Sequence, residues 1–205
     1  VNVGFTQASR EQGIRRLMAI NLMKRMESSV YSFNLTVKRI IQLIDQTLAV
    51  IDSYDKSKSV KVDTVELENL DAYDVDDQNS EDILTIGKKV KIEIADMDYV
   101  SWRRSLAKDR DTLELLSLMV EDITPEHDCK LQELLSLIRN KMEHPINPGN
   151  KKIIIFTAFA DTADYLYQNV SSFVKEQFGL NTAMISGSVD GRTTVPKLHS
   201  DINTV

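Results

Sequence analysis

Apolar residues near the start of the chain recur with helical spacing: Met23, Met26, Val30, Phe33, Val37, Ile41, Ile44, Leu48 and Ile51 follow one another at steps of three or four. With 3.6 residues per turn they form one stripe, which predicts a single long helix with one face to bury. The pattern fails at Asp52-Ser53-Tyr54-Asp55-Lys56-Ser57, a polar cluster expected to end the helix and open an acidic, weakly patterned linker over about 53–85. Lys88-Lys89-Val90-Lys91-Ile92-Glu93-Ile94 then alternates charged and β-branched residues, which predicts a short edge strand.

Helical spacing returns from about Tyr99, with Leu106, Leu113, Leu116, Val120 and Ile123 on one face, and Thr124-Pro125 ends that run because proline disfavours helix in the residue before it. A further helix carries Leu131, Leu134, Leu135, Ile138 and Met142. The breaker-rich His144-Pro145-Ile146-Asn147-Pro148-Gly149 closes it and marks the expected domain boundary. Each helix has an apolar face to cover, so residues 1–147 read as a helical bundle.

Beyond the boundary the pattern changes. Lys152-Ile153-Ile154-Ile155-Phe156 is a continuous apolar run, as expected of a parallel strand covered on both faces. Asp161 or Thr162 is placed to cap a helix carrying Ala163, Leu166, Tyr167, Val170, Phe173, Val174 and Phe178, which Gly179 ends. Asn181–Ser186 then reads as a second strand, giving a strand-helix-strand unit with a right-handed crossover. The expected fold class is therefore α/β with helix in excess. A bundle over 1–147 precedes an incomplete parallel βαβ unit over 148–205, since one such unit cannot cover both faces of a sheet.

Composition narrows the functional classes. An apolar fraction of 42% with 27% charged residues is that of a globular chain. A lone cysteine, Cys129, rules out an intrachain disulfide and a cysteine-rich metal site, and points to a cytoplasmic setting. No run of some 18 apolar residues suggests a membrane span, and Val1-Asn2-Val3-Gly4 has neither a basic start nor an apolar signal core. The missing initiator methionine is expected either of a chain cut from something longer or of one that has lost its methionine by removal or processing. A net charge of −6 argues against a simple nucleic-acid-binding module. That sum hides a split. Arg10, Arg15, Arg16, Lys24, Arg25, Lys38 and Arg39 make the first forty residues basic, while Asp63 to Asp82 is strongly acidic. The two segments are either solvated faces or a basic helix near phosphates with an acidic spacer held away from them.

Four segments together resemble one family. Lys151-Lys152-Ile153-Ile154-Ile155-Phe156-Thr157-Ala158-Phe159-Ala160-Asp161-Thr162-Ala163-Asp164-Tyr165-Leu166 is similar to the "KxxIFxxFxDTxxYL" start of the second RecA-like lobe in Swi/Snf-like helicases. Asp128-Cys129-Lys130-Leu131-Gln132-Glu133-Leu134 resembles the "DxKLxxL" helix that leads into that lobe, and Leu22-Met23-Lys24-Arg25-Met26-Glu27-Ser28-Ser29-Val30-Tyr31-Ser32-Phe33 resembles the "LLKRxESSxxAF" helix of the bacterial RapA-like members. Ile185-Ser186-Gly187 followed by Arg192 is similar to a small turn, glycine and arginine later in the lobe.

The resemblance implies a fragment of an ATP-dependent DNA helicase or translocase: an inter-lobe helical region and the start of the second motor lobe. Double-stranded DNA and the rest of the motor are the implied partners, with the nucleic-acid contact carried by Thr157, Ala158, Phe159, Ser186, Gly187 and Arg192. ATP and magnesium are implied for the full-length parent and not for this segment. It lacks the Gly-Lys-Thr phosphate loop, the acidic magnesium box, and the later "QxxGRxxRxGQ" arginines, so hydrolysis by it alone is not expected. Catalytic and metal-binding residues are not expected in it.

Other residues have plainer readings. His127, His144 and His199 lack paired metal-ligand spacing, Asp96 and Asp98 suit a helix N-terminus, and Trp102 suits an anchor in the bundle. Two rival classes stay open. One is a non-enzymatic module that self-associates through a coiled coil along the Met23–Ile51 stripe. The other is a small nucleotide-binding α/β domain, against which stands the lack of a glycine-rich loop after the Ile153 strand.

Overall fold

A computed structural model describes residues 7–57, 94, 98–187 and 191–196. Most of the acidic segment, the Lys88–Ile94 strand apart from Ile94, and His199 lie outside them. Five helices fall within the described residues: α1 (Gln7–Ser28), α2 (Val30–Ser57), α3 (Tyr99–Glu121), α4 (Cys129–Glu143) and α5 (Ala160–Phe178). A two-stranded antiparallel ribbon, β1 (Ala183–Met184) with β2 (Arg192–Thr193), completes them.

The long stripe is divided at Ser29. Its hydroxyl accepts the Ser32 N–H at 3.3 Å, so Ser29 acts as an internal N-cap for α2. Backbone bonds nevertheless continue on both sides, from Ser29 N to Arg25 O at 2.8 Å and from Phe33 N to Ser29 O at 3.0 Å. Burial changes at this joint. Phe33, Val37, Ile44 and Ile51 are buried, Val37 and Ile51 completely, whereas Met23 is 69% exposed. The α2 seam is covered by α3, which runs antiparallel to it: Asn34 meets Ser117, Asp45 meets Arg110 and Asp52 meets Arg103.

Helix α2 also runs past the polar cluster expected to end it, to Ser57. Asp52 is held by Arg103, and the Ser53 hydroxyl donates to the Ala49 carbonyl at 2.8 Å, so these polar side chains are satisfied within a helix. Asp98 caps α3 by accepting the Ser101 N–H at 3.1 Å, and hydrogen bonding from Ser101 holds its carboxyl below the usual range. On α3 the expected face is only partly covered, since Leu116 is exposed; Ile123 lies past the helix end and is exposed too, while Trp102 is half-buried.

Helices α4 and α5 share the apolar core. Ile138 and Met142 meet Val170 and Val174, with Leu134, Leu135, Phe173, Phe178 and Leu180 packed around them. Gly179 ends α5 at φ 66°, a left-handed conformation that glycine adopts without a Cβ penalty, and its N–H bonds to Lys175 O. The expected cap at Asp161 or Thr162 is displaced: the N-cap is Phe159, with no side-chain bond, and both polar residues lie inside the first turn.

The parallel strand-helix-strand unit is not formed by the described residues. Ile153–Phe156 makes no sheet pairing and lies open, with Ile154 77% and Phe156 90% exposed. The second strand shrinks to Ala183–Met184, whose partner is the later Arg192–Thr193 in antiparallel register, Ala183 opposite Thr193 and Met184 opposite Arg192. The physical reason is pairing. A parallel strand needs neighbours for its ladder and layers for both faces, and the described residues supply neither.

Candidate functional site

The ends of four helices meet at one junction. The α1 C-terminus and the α2 N-terminus, continuous through Ser29, lie against the N-termini of α4 and α5. Asp161 in the first turn of α5 is the centre. Its Oδ2 accepts from Arg25 Nη1 at 3.3 Å and from Arg39 Nη1 at 3.0 Å, and its Oδ1 accepts from Arg39 Nη2 at 3.2 Å. Arg25 and Asp161 are only 3% and 6% exposed. Ions so buried persist only when paired and hydrogen-bonded, because desolvation costs several kcal/mol per ion. Arg25 is further held by Ser32 Oγ at 3.4 Å, and its guanidinium lies 4.7 Å from the centre of the Phe159 ring.

Hydroxyl groups extend this centre toward the surface. Ser28 Oγ lies 3.0 Å from Thr162 Oγ1 and 3.4 Å from Thr157 Oγ1, and Thr157 Oγ1 accepts the Phe159 N–H at 3.4 Å. On the other flank Lys130 Nζ donates to the carbonyls of Glu27 and Ser28, satisfying the last acceptors of α1. Asp128 caps α4 through the N–H groups of Lys130 and Leu131, both at 3.0 Å, and its other oxygen accepts the Tyr165 hydroxyl at 3.0 Å. Burial first, then the hydrogen bond and charge of Asp128, push the Tyr165 phenol well above the ordinary tyrosine range. Tyr31 stacks on Tyr165 with ring centres 4.8 Å apart.

Of the six residues expected to touch nucleic acid, the structure places Thr157, Ala158 and Phe159 just before α5. Thr157 and Ala158 are exposed and Phe159 is buried beneath Arg25. Ser186 and Gly187 follow β1. Arg192, on β2, is ion-paired with Asp164 in the first turns of α5. Phe159 is therefore an anchor of the junction and not an accessible contact.

The basic stretch also divides. Arg15, Arg16 and Lys24 are exposed on α1, whereas Arg25 and Arg39 hold Asp161 and Lys38 pairs with Glu121. Sequence reasoning missed the burial of Arg25 and the pairing of half-buried Arg39, having grouped both in a basic stretch facing solvent or phosphates. The available signal was the pairing of opposite charges between two separate motifs, an arginine in one and an aspartate in the other.

The N-terminus of α5 does not fit a nucleotide phosphate. Bulky Phe159 precedes α5 where a phosphate cradle needs glycine, and the carboxylate of Asp161 occupies the turn where phosphate would sit. No group of three or more metal-ligating side chains occurs among the described residues, and no described helix is long and apolar enough to cross a membrane. Cys129 is exposed, while His127 and His144 make local contacts with Thr124 and Asn140.

Comparison of the chain with family models, with curated proteins and with solved structures returns no match.

Proposed function

We propose that this chain is part of an ATP-dependent DNA motor of the Swi/Snf-like class, joining an inter-lobe helical region to the opening of the second, RecA-like lobe. The observation that carries this reading is the convergence of three separated segments that resemble that class. Arg25 and Ser28 of the first reach Asp161 and Thr162 of the third, while Asp128 and Lys130 of the second bond to Tyr165 and to the end of α1. The buried polar groups of the three segments satisfy one another, so the segments form one structural unit, as the reading requires.

In this reading Ile153–Phe156 is the first core strand of the lobe, and its open apolar faces await parallel neighbours and covering helices. Thr157, Ala158, Ser186 and Gly187 contact the phosphate backbone of the tracked strand, and the exposed cations of α1 add a sequence-independent contact. ATP and magnesium belong to other parts of the motor.

The test is titration of the chain against fluorescent single- and double-stranded DNA at low and moderate salt. Expected is salt-sensitive binding that weakens when Arg15, Arg16 and Lys24 are changed to glutamine, and when Thr157 and Ser186 are changed to alanine. No binding at low salt would overturn the nucleic-acid contact.

A second reading, self-association, is favoured by one observation. Leu17, Met18, Ile20, Met23 and Met26 on α1 are exposed, as are Leu115, Leu118 and Met119 on α3. The Phe33–Ile51 seam is taken up by α3, so any oligomer uses those faces instead. A concentration-dependent mass without DNA binding would favour it.

A further inference from the structure

We infer that Asp161 is a positioning residue: by gripping Arg25 and Arg39 it locks the Thr157-Ala158-Phe159 turn to the α1–α2 joint, so that the helical region sets where this turn sits. Three independent contacts converge on that function. The Asp161 carboxylate bridges Arg25 from α1 and Arg39 from α2, so it grips both sides of Ser29 at once. Arg25 in turn covers the Phe159 ring and so pins the residue that starts α5. Ser28, the last residue of α1, links by hydroxyls to Thr157 on the turn and to Thr162 on the helix.

The geometry is that of a coupling and not of a general core contact. The apolar core of α4 and α5 lies further along both helices, around Ile138, Met142, Val170 and Val174, and contains none of these groups. The contacts that the structure shows on this turn and on the start of α5 come from the junction: Ser28 at Thr157, and Arg25 over Phe159. A guanidinium held by two carboxylate oxygens, as Arg39 holds Asp161, is directional. Tilting α2 relative to α5 therefore moves the turn or breaks the bond.

For its nucleic-acid consequence this inference rests on the proposed backbone contact at Thr157 and Ala158; the positional lock itself does not. The test compares the wild-type chain with Asp161→Asn, which removes the charge and keeps the shape, and with Ser28→Ala, a milder change that decides the matter if the first variant fails to fold. Amide hydrogen exchange is followed at Phe159, whose N–H bonds to Thr157 Oγ1, and at Ala163, whose N–H bonds to Phe159 O. Expected is exchange at these two amides accelerated by about tenfold beyond any common acceleration of the amides of Ile138, Met142, Val170 and Val174. Unchanged exchange at Phe159 and Ala163 in a folded variant overturns the inference. In the DNA titration, the variants are expected to lose affinity while the salt dependence, set by the exposed cations of α1, stays unchanged. Variants that show the exchange effect, together with a wild-type chain that binds no DNA, keep the lock and remove the proposed nucleic-acid contact.

Discussion

Arg25 and Asp161, separated by 136 residues of sequence, meet at 3.3 Å with both side chains withdrawn from solvent. Removing one partner strands the other in a poorly solvated place. Asp161→Ala is therefore expected to destabilise the fold by about 3–5 kcal/mol, read as a lower midpoint in urea unfolding. A loss below about 1 kcal/mol would mean that water reaches the arginines readily and that the pair is a surface contact.

Tyr165 should titrate above the ordinary tyrosine range. Its phenol is raised by burial and by Asp128, so it stays neutral in the folded chain where an unfolded tyrosine ionises near pH 10. The sign follows from linkage. The contribution of Tyr165 is fully present below about pH 10 and is lost as pH rises from there toward its higher folded value. Tyr165→Phe removes the hydrogen bond to Asp128 and is expected to cost about 1–2 kcal/mol at neutral pH. That difference should shrink steadily above pH 10, and the alkaline phenolate absorbance should lose a component that titrates above the ordinary tyrosine range. A difference that stays constant with pH would contradict the burial of this ring.

The two ends of the apolar stripe should respond oppositely to truncation. Ile51 is completely buried, and Ile51→Ala is expected to cost about 2–4 kcal/mol. Met23 lies open, and Met23→Ala should change stability by less than about 0.5 kcal/mol. Comparable losses from both would mean that α1 is covered in solution, as self-association would do.

The open Ile153–Phe156 run combines β-branched and aromatic residues with no charge, a composition prone to pairing with other chains. Changing Ile154 and Phe156 to lysine is expected to raise the concentration at which the chain stays in solution, with little change in its unfolding midpoint. A lower midpoint would show that these side chains are buried in the isolated chain.

Much of the helical framework was legible because its signals are local. The α4 and α5 stripes, the Thr124-Pro125 stop and the left-handed end at Gly179 each depend on residues within a few turns. The Ser29 joint escaped notice because the apolar spacing continues through it unbroken, whereas the cap depends on how one hydroxyl is turned. Burial of Arg25 could not be read from its neighbours, since an arginine enters the interior only when a partner is brought from elsewhere in the chain. The Ile153–Phe156 run carries a strong strand pattern, but a strand exists only where another backbone lies alongside.

Of the candidate contacts, the grouping of Thr157 with the start of α5 was legible from the turn residues around it. That Phe159 faces inward was not, because it depends on the position of Arg25.

Ser29 has a mechanical meaning beyond its hydrogen bond. Helix α1 spans 22 residues on one side of it, a rod about 33 Å long at 1.5 Å per residue. A tilt of about 10° at that serine carries the far tip through about 6 Å, on the order of one helical pitch. At the inner end of the same lever, a few ångströms from the fulcrum, Arg25 would shift by only about an ångström. If the helix bends at Ser29, a wide sweep of the outer arm would reach the first turn of α5 only as a small displacement, and a small displacement there would be magnified at the tip.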